Sequence, residues 1–144
     1  MEPLNVVALI KAVQSLERNA NVALMYSGLR LPQFRLMELL AELGQATVTA
    51  LSGRLKITRA TTSVMVNDLI RSGSAMVVEN PSDRRSFHVR LTEHGLGRLQ
   101  AARRDLDVLM SKLSRRYPEE MIRTLNDFAH KNEPKSHQDG ADKD

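Results

Sequence analysis

Apolar residues recur at helical spacing through residues 3–28, where Leu9, Val13, Leu16, Ala20 and Leu24 fall on one face. Val6, Val7, Ile10, Ala12 and Val22 widen that stripe over much of the circumference. A helix so broadly apolar needs cover on more than one side, from a second subunit or from a central place in its own core. Pro32 fits the first turn of a second helix, because its missing N–H costs nothing there. Phe34, Met37, Leu40, Ala41 and Leu43 then line one face, and Gly44 ends it. Two short helices are predicted next. Thr47 can cap one with Val48, Leu51 and Leu55 as its apolar positions, and Thr58 can cap another with Thr62, Met65, Val66 and Leu69, stopped by Gly73.

After Gly73 the period changes. Ala75-Met76-Val77-Val78 is a short apolar run, and Phe87-His88-Val89-Arg90-Leu91 alternates apolar with polar, as a half-buried strand does. Asn80-Pro81-Ser82-Asp83 between them is turn chemistry. The prediction is a hairpin with Arg84 and Arg85 at its tip and His88 facing outward. Thr92 can cap a long helix over residues 92–116, supported by Glu93 near its positive end. Leu96, Leu99, Ala102, Leu106, Leu109, Met110 and Leu113 are its apolar positions. Pro118 opens a last helix with Met121, Ile122, Leu125, Phe128 and Ala129 apolar. Residues 132–144 are polar and mixed in charge, which predicts a disordered tail.

Two short helices, a tight turn and a basic-tipped hairpin describe a winged helix-turn-helix, whose second helix enters the major groove of DNA. The fold class is therefore mainly α with a small β-hairpin wing. Here the chain resembles the MarR family of bacterial and archaeal transcriptional regulators. The matching text is Leu31-Pro32-Gln33-Phe34, the two short helices, Asn80-Pro81-Ser82-Asp83-Arg84-Arg85, and Leu91-Thr92-Glu93-His94-Gly95. On that resemblance residues 1–131 form one domain, with a winged helix-turn-helix over about 32–99. Helices over about 4–28 and 105–131 would form a dimer interface. The chain departs from the family pattern at Lys56, where Gly is common, at Val64, where many members are polar, and at Asn80, where Asp is frequent. Gly53 inside its helix costs about 1 kcal/mol relative to Ala, and Lys56 in the turn invites left-handed strain.

Charge sharpens the reading. The chain carries 21 Lys and Arg against 17 Asp and Glu, a net +4. Residues 47–104 alone hold ten basic side chains against four acidic, a surplus of six. Basic charge gathered on one module is the footprint expected for a polyanion. With 42% apolar but only 3% aromatic residues, the core must be aliphatic and Met-rich. The longest apolar run, Val6 to Ile10, is far below the ~20 residues that span a membrane, and no signal peptide is evident. A cytoplasmic protein is expected. The absence of cysteine excludes disulfides, thiolate zinc sites and the cysteine-based oxidant sensing of some family members.

The candidate DNA-contacting residues are Arg54, Thr58, Arg59, Thr61, Thr62, Ser63, Arg84 and Arg85. The hydroxyls and guanidinium groups suit base edges and phosphates. Thr62 lies near the boundary of its apolar face and could turn either way. Asp83 and Arg85, two apart on a strand, share a face, so Asp83 can orient the Arg85 guanidinium. No metal-ligand motif joins His88, His94, His130 and His137, no cofactor is implied, and no nucleophile elbow, Walker loop or dinucleotide fingerprint is present. Glu119 and Glu120 open a helix and suit its dipole better than acid–base chemistry. The expectation is a homodimeric regulator of transcription on a pseudo-palindromic double-stranded operator. The resemblance implies repression relieved by a small aromatic or phenolic ligand. The rivals are a winged helix used only for protein contact, and an enzyme.

Overall fold

Three threonines set the helix starts. Thr47 Oγ1 accepts the Ala50 N–H at 3.1 Å, Thr58 Oγ1 accepts that of Thr61 at 3.1 Å, and Thr92 Oγ1 accepts that of Gly95 at 3.0 Å. Each satisfies a donor that an opening helical turn leaves unpaired. The structure, a computed structural model, describes residues 1–79 and 87–132. Its elements run α1 (Val6–Leu24), a 3-10 turn (Met25–Ser27), α2 (Leu31–Leu43), α3 (Val48–Leu55), α4 (Arg59–Arg71), β1 (Ala75–Val78), β2 (His88–Leu91), α5 (Glu93–Arg116) and α6 (Glu119–Asn132). Among the described residues the chain is thus six helices and one antiparallel hairpin. Among the described residues no helix is long and apolar enough to cross a membrane.

The chain divides into a first unit, Met1–Leu109, and a second that begins at Met110. The core of the first gathers on α2. Leu36, Met37 and Leu40 are fully buried, and Phe34 and Leu39 nearly so. The helix is covered on more sides than its predicted stripe implied, because Leu36 and Leu39 are buried beside that stripe. Leu43, expected inside, is exposed at the last turn. Leu24, Leu29, Leu51, Val66, Leu69, Val89, Leu99 and Ala102 belong to the same cluster, with Ala46, Met65, Ala75 and Leu91.

α1 corrects one of the two explanations offered for its breadth. It starts at Val6, where Asn5 Oδ1 accepts the Ala8 N–H, and it tightens into a 3-10 turn after Leu24. Leu24 is its one buried residue; Val6, Val7, Ile10, Val13 and Leu16 lie exposed. A central core helix is therefore excluded among the described residues: of the first three turns only Leu9 is half-buried and the rest are exposed. In the second unit α6 likewise has no buried residue, and Met121, Leu125 and Phe128 are exposed. It extends through Asn132, one residue beyond the expected boundary, with the Asn132 amide donating to the Phe128 carbonyl.

In the hairpin Ala75 pairs with Leu91 and Val77 with Val89. A third segment joins it: Ala46 exchanges both backbone bonds with Val89, at 3.0 and 2.8 Å. This bridge fixes the hairpin to the start of α3. Val89 and Leu91 point inward as the alternation required, but Phe87 is exposed. His88, expected outward, is half-buried, with Nδ1 shielded and without a partner among the described residues. Strand alternation sets only one face against the core; neighbours beside the strand cover part of the other.

Candidate nucleic-acid interface

α4 has one face locked and one face open. Thr62, Met65, Val66 and Leu69 are buried, a set spaced by three and four that rotates the helix into a single orientation. Ala60, Thr61, Val64, Asn67 and Arg71 are exposed on the other side. Arg59 is exposed at the first turn, and no hydrogen bond or ion pair joins it to another described residue. The turn before α4 is tight. Lys56 adopts φ 54°, ψ 44°, the left-handed conformation that the sequence suggested, and its N–H closes on Ser52.

The expected contact residues separate on this geometry. Thr58 Oγ1 caps the helix and also donates to Thr61 Oγ1 at 2.9 Å, which leaves the Thr61 hydroxyl proton available to an outside acceptor. Thr61 and Arg59 stand on the open side, and Ser63 is half-buried at its edge. Arg54, in the last turn of α3, is exposed and lies 3.8 Å from Glu42, a loose pair that a stronger anion can displace. Thr62 is a correction. Its side chain is 0% exposed and its hydroxyl donates to the Thr58 carbonyl at 2.9 Å, so it supports α4 from inside and reaches no external partner. Asp83, Arg84 and Arg85 lie outside the described residues.

Sequence reasoning missed Asn67 and the centring of the open face on Ala60, Val64, Asn67 and Arg71. Their spacing of four, three and four is a helical stripe, but it mixes apolar, amide and charged types and shows no contrast by hydropathy. Arg71 is paired to Asp68 one turn back.

The open face is held by two further contacts. At the base of the wing, an added Cβ on Gly95 would lie 1.9 Å from the Ser74 carbonyl oxygen. That same oxygen accepts the Thr92 N–H at 3.0 Å, and the Thr92 hydroxyl donates to the Gly73 carbonyl at 2.6 Å. The Leu-Thr-x-x-Gly pattern is therefore a docking joint: Thr ties the start of α5 to the end of α4, and Gly lets the backbones touch. Arg98, one turn further, donates through Nε to Ser27 O at 2.8 Å and through Nη2 to Gly28 O at 3.0 Å. Its Nη1 donates to Ser74 Oγ at 3.1 Å and Ser72 Oγ at 3.3 Å. One guanidinium thus joins the end of α1 to the end of α4. Both of its backbone acceptors sit at the closing turn after α1, where unpaired carbonyls favour a cation.

Among the described residues no group of His, Asp and Glu could hold a metal ion. The model of the MarR family matches residues 29–87. Among solved structures, wild-type MarR of E. coli without ligand superposes with a TM-score of 0.78 at 22% identity, covering 92% of this chain and 100% of that one. A mutant MarR of E. coli complexed with operator DNA gives 0.78 at 22% identity, over 91% of this chain and 95% of that one. RV1404 of Mycobacterium tuberculosis gives 0.70 at 18% identity, over 94% and 99%. At such identities these likenesses establish a shared winged-helix fold. No curated protein matches the sequence.

Proposed function

On the match of the MarR family model to residues 29–87, we propose that the chain is a member of that family, a transcriptional regulator that binds double-stranded DNA as a homodimer. The observation that carries this reading is α4. Its inner face is packed into the core while its outer face and first turn stay exposed, within a stretch carrying a surplus of six positive charges. A rigid helix presented in this way can enter a major groove with Arg59 and Thr61 leading. Arg54 and Ser63 stand beside it for phosphates, and Thr58 gives its hydroxyl proton to Thr61 and so frees that hydroxyl to donate. The wing completes the grip: Arg85, oriented by Asp83, reads the flanking minor groove, whose narrow A·T tracts concentrate negative potential, and Arg84 meets phosphate. The solved complex of a related fold with operator DNA supports this use of the architecture.

Dimerisation through α1 and α6 belongs to the same reading, since both leave apolar residues uncovered in the single chain. A two-fold axis would then give two copies of α4 facing successive grooves. The family resemblance adds repression, relieved by a small aromatic or phenolic effector. Release of a bound operator by benzoate or salicylate would check that part.

The test is fluorescence anisotropy on a duplex selected by the full chain from random-sequence DNA, against a scrambled duplex, over a range of salt. Tighter binding to the selected duplex and a steep loss of affinity with salt are expected. Equal, weak binding to both would leave the fold as a protein-contact module.

A further inference from the structure

The outward stripe of α4 is unusual for a surface in water. Val64 is 59% exposed at its centre, with exposed Ala60 one turn before it and exposed Asn67 one turn after. Val has a lower helix propensity than Ala, and here it packs on no core, so the fold gives no reason for it. The Asn67 side chain makes no hydrogen bond to another described residue. An apolar branched side chain beside an uncommitted amide matches one base-pair chemistry in the major groove. The thymine C5-methyl takes an apolar contact, and adenine N6 and N7 take a bidentate Asn.

Resting on the DNA-binding reading above, we infer that Val64 and Asn67 set operator specificity, with Val64 packing on a thymine methyl and Asn67 reading an adjacent adenine. Three helical residues rise about 4.5 Å, near the ~3.4 Å spacing of successive base pairs. The two side chains therefore address neighbouring pairs when the helix lies along the groove. Arg71 is held by Asp68 at the far end of the stripe and leaves the centre to these two. Each half-site should carry an A·T pair under Val64 and another under Asn67.

The probe is the duplex that the full chain selects from a random pool, resynthesised with single thymines replaced by deoxyuridine, which removes only the methyl group. At one thymine per half-site the replacement should weaken wild-type binding about 3- to 10-fold. Val64→Ala should bind the two duplexes alike. At the neighbouring position 7-deazaadenine, which lacks N7, should weaken wild type, while Asn67→Ala should be indifferent to it. Both positions are exposed, so unchanged thermal unfolding of the variants is expected and is measured alongside. Indifference of the wild type to every uracil substitution overturns the inference and leaves DNA binding standing, as does an unchanged uracil penalty in Val64→Ala. Failure of the chain to select any sequence overturns both.

Discussion

At residue scale, the backbone between α3 and α4 is held at a cost. Lys56 sits in a left-handed conformation that an L side chain disfavours by about 1–2 kcal/mol, and the same position would suit glycine. Lys56→Gly should raise stability by about 1 kcal/mol in urea unfolding, despite the greater freedom glycine gives the unfolded chain. Gly53→Ala should add about 1 kcal/mol, since nothing lies within 4 Å of the new methyl group. Gly95 gives the opposite sign. Its added methyl would collide with the Ser74 carbonyl, and Gly95→Ala should destabilise by about 3 kcal/mol. Gly97→Ala, in open space on the same helix, should add about 1 kcal/mol, as at Gly53. Equal effects at Gly95 and Gly97 would refute the docking joint.

At the scale of elements, much was legible. The caps Thr47, Thr58 and Thr92 were readable because a side-chain oxygen before an apolar period is local chemistry. The hairpin was readable because its period of two differs from the helices around it. The rotation of α4 was less so: Thr61-Thr62-Ser63 is uniformly polar, and only Met65, Val66 and Leu69, one turn on, draw Thr62 inward. The Ala46 bridge is one residue long and has no alternation to detect. Arg98 was also hidden, because its partners are backbone carbonyls and serines far along the chain. Arg98→Ala leaves those acceptors without their donor and should cost about 1–3 kcal/mol in unfolding. Arg103→Ala removes a partly exposed pair with Glu38 at 3.5 Å and should cost under about 1 kcal/mol. For DNA, Arg59→Ala should lose about 1–3 kcal/mol on the selected site and less on non-specific duplex, if it holds a base bidentately. Arg84→Ala, which removes a phosphate contact, should lower the slope of log K against log salt by about 1, read in the same titration.

For the whole molecule, the decisive feature is apolar surface without cover. Val6, Val7, Ile10, Val13 and Leu16 on α1, with Met121, Leu125 and Phe128 on α6, face water in the isolated chain. The sequence showed their breadth but left open what covers them, because periodicity records which faces are apolar and not whose surface meets them. Sedimentation equilibrium at low micromolar concentration should give a dimer, and Val7→Glu with Ile10→Glu should shift it toward monomer with loss of DNA binding. The most direct measurement is a hydroxyl-radical footprint of the full chain on its selected duplex. The account predicts two protected half-sites centred about 10–10.5 base pairs apart, with flanking minor-groove protection that Arg85→Ala removes. A single protected half-site, or no protection at concentrations where the chain is dimeric, would contradict it.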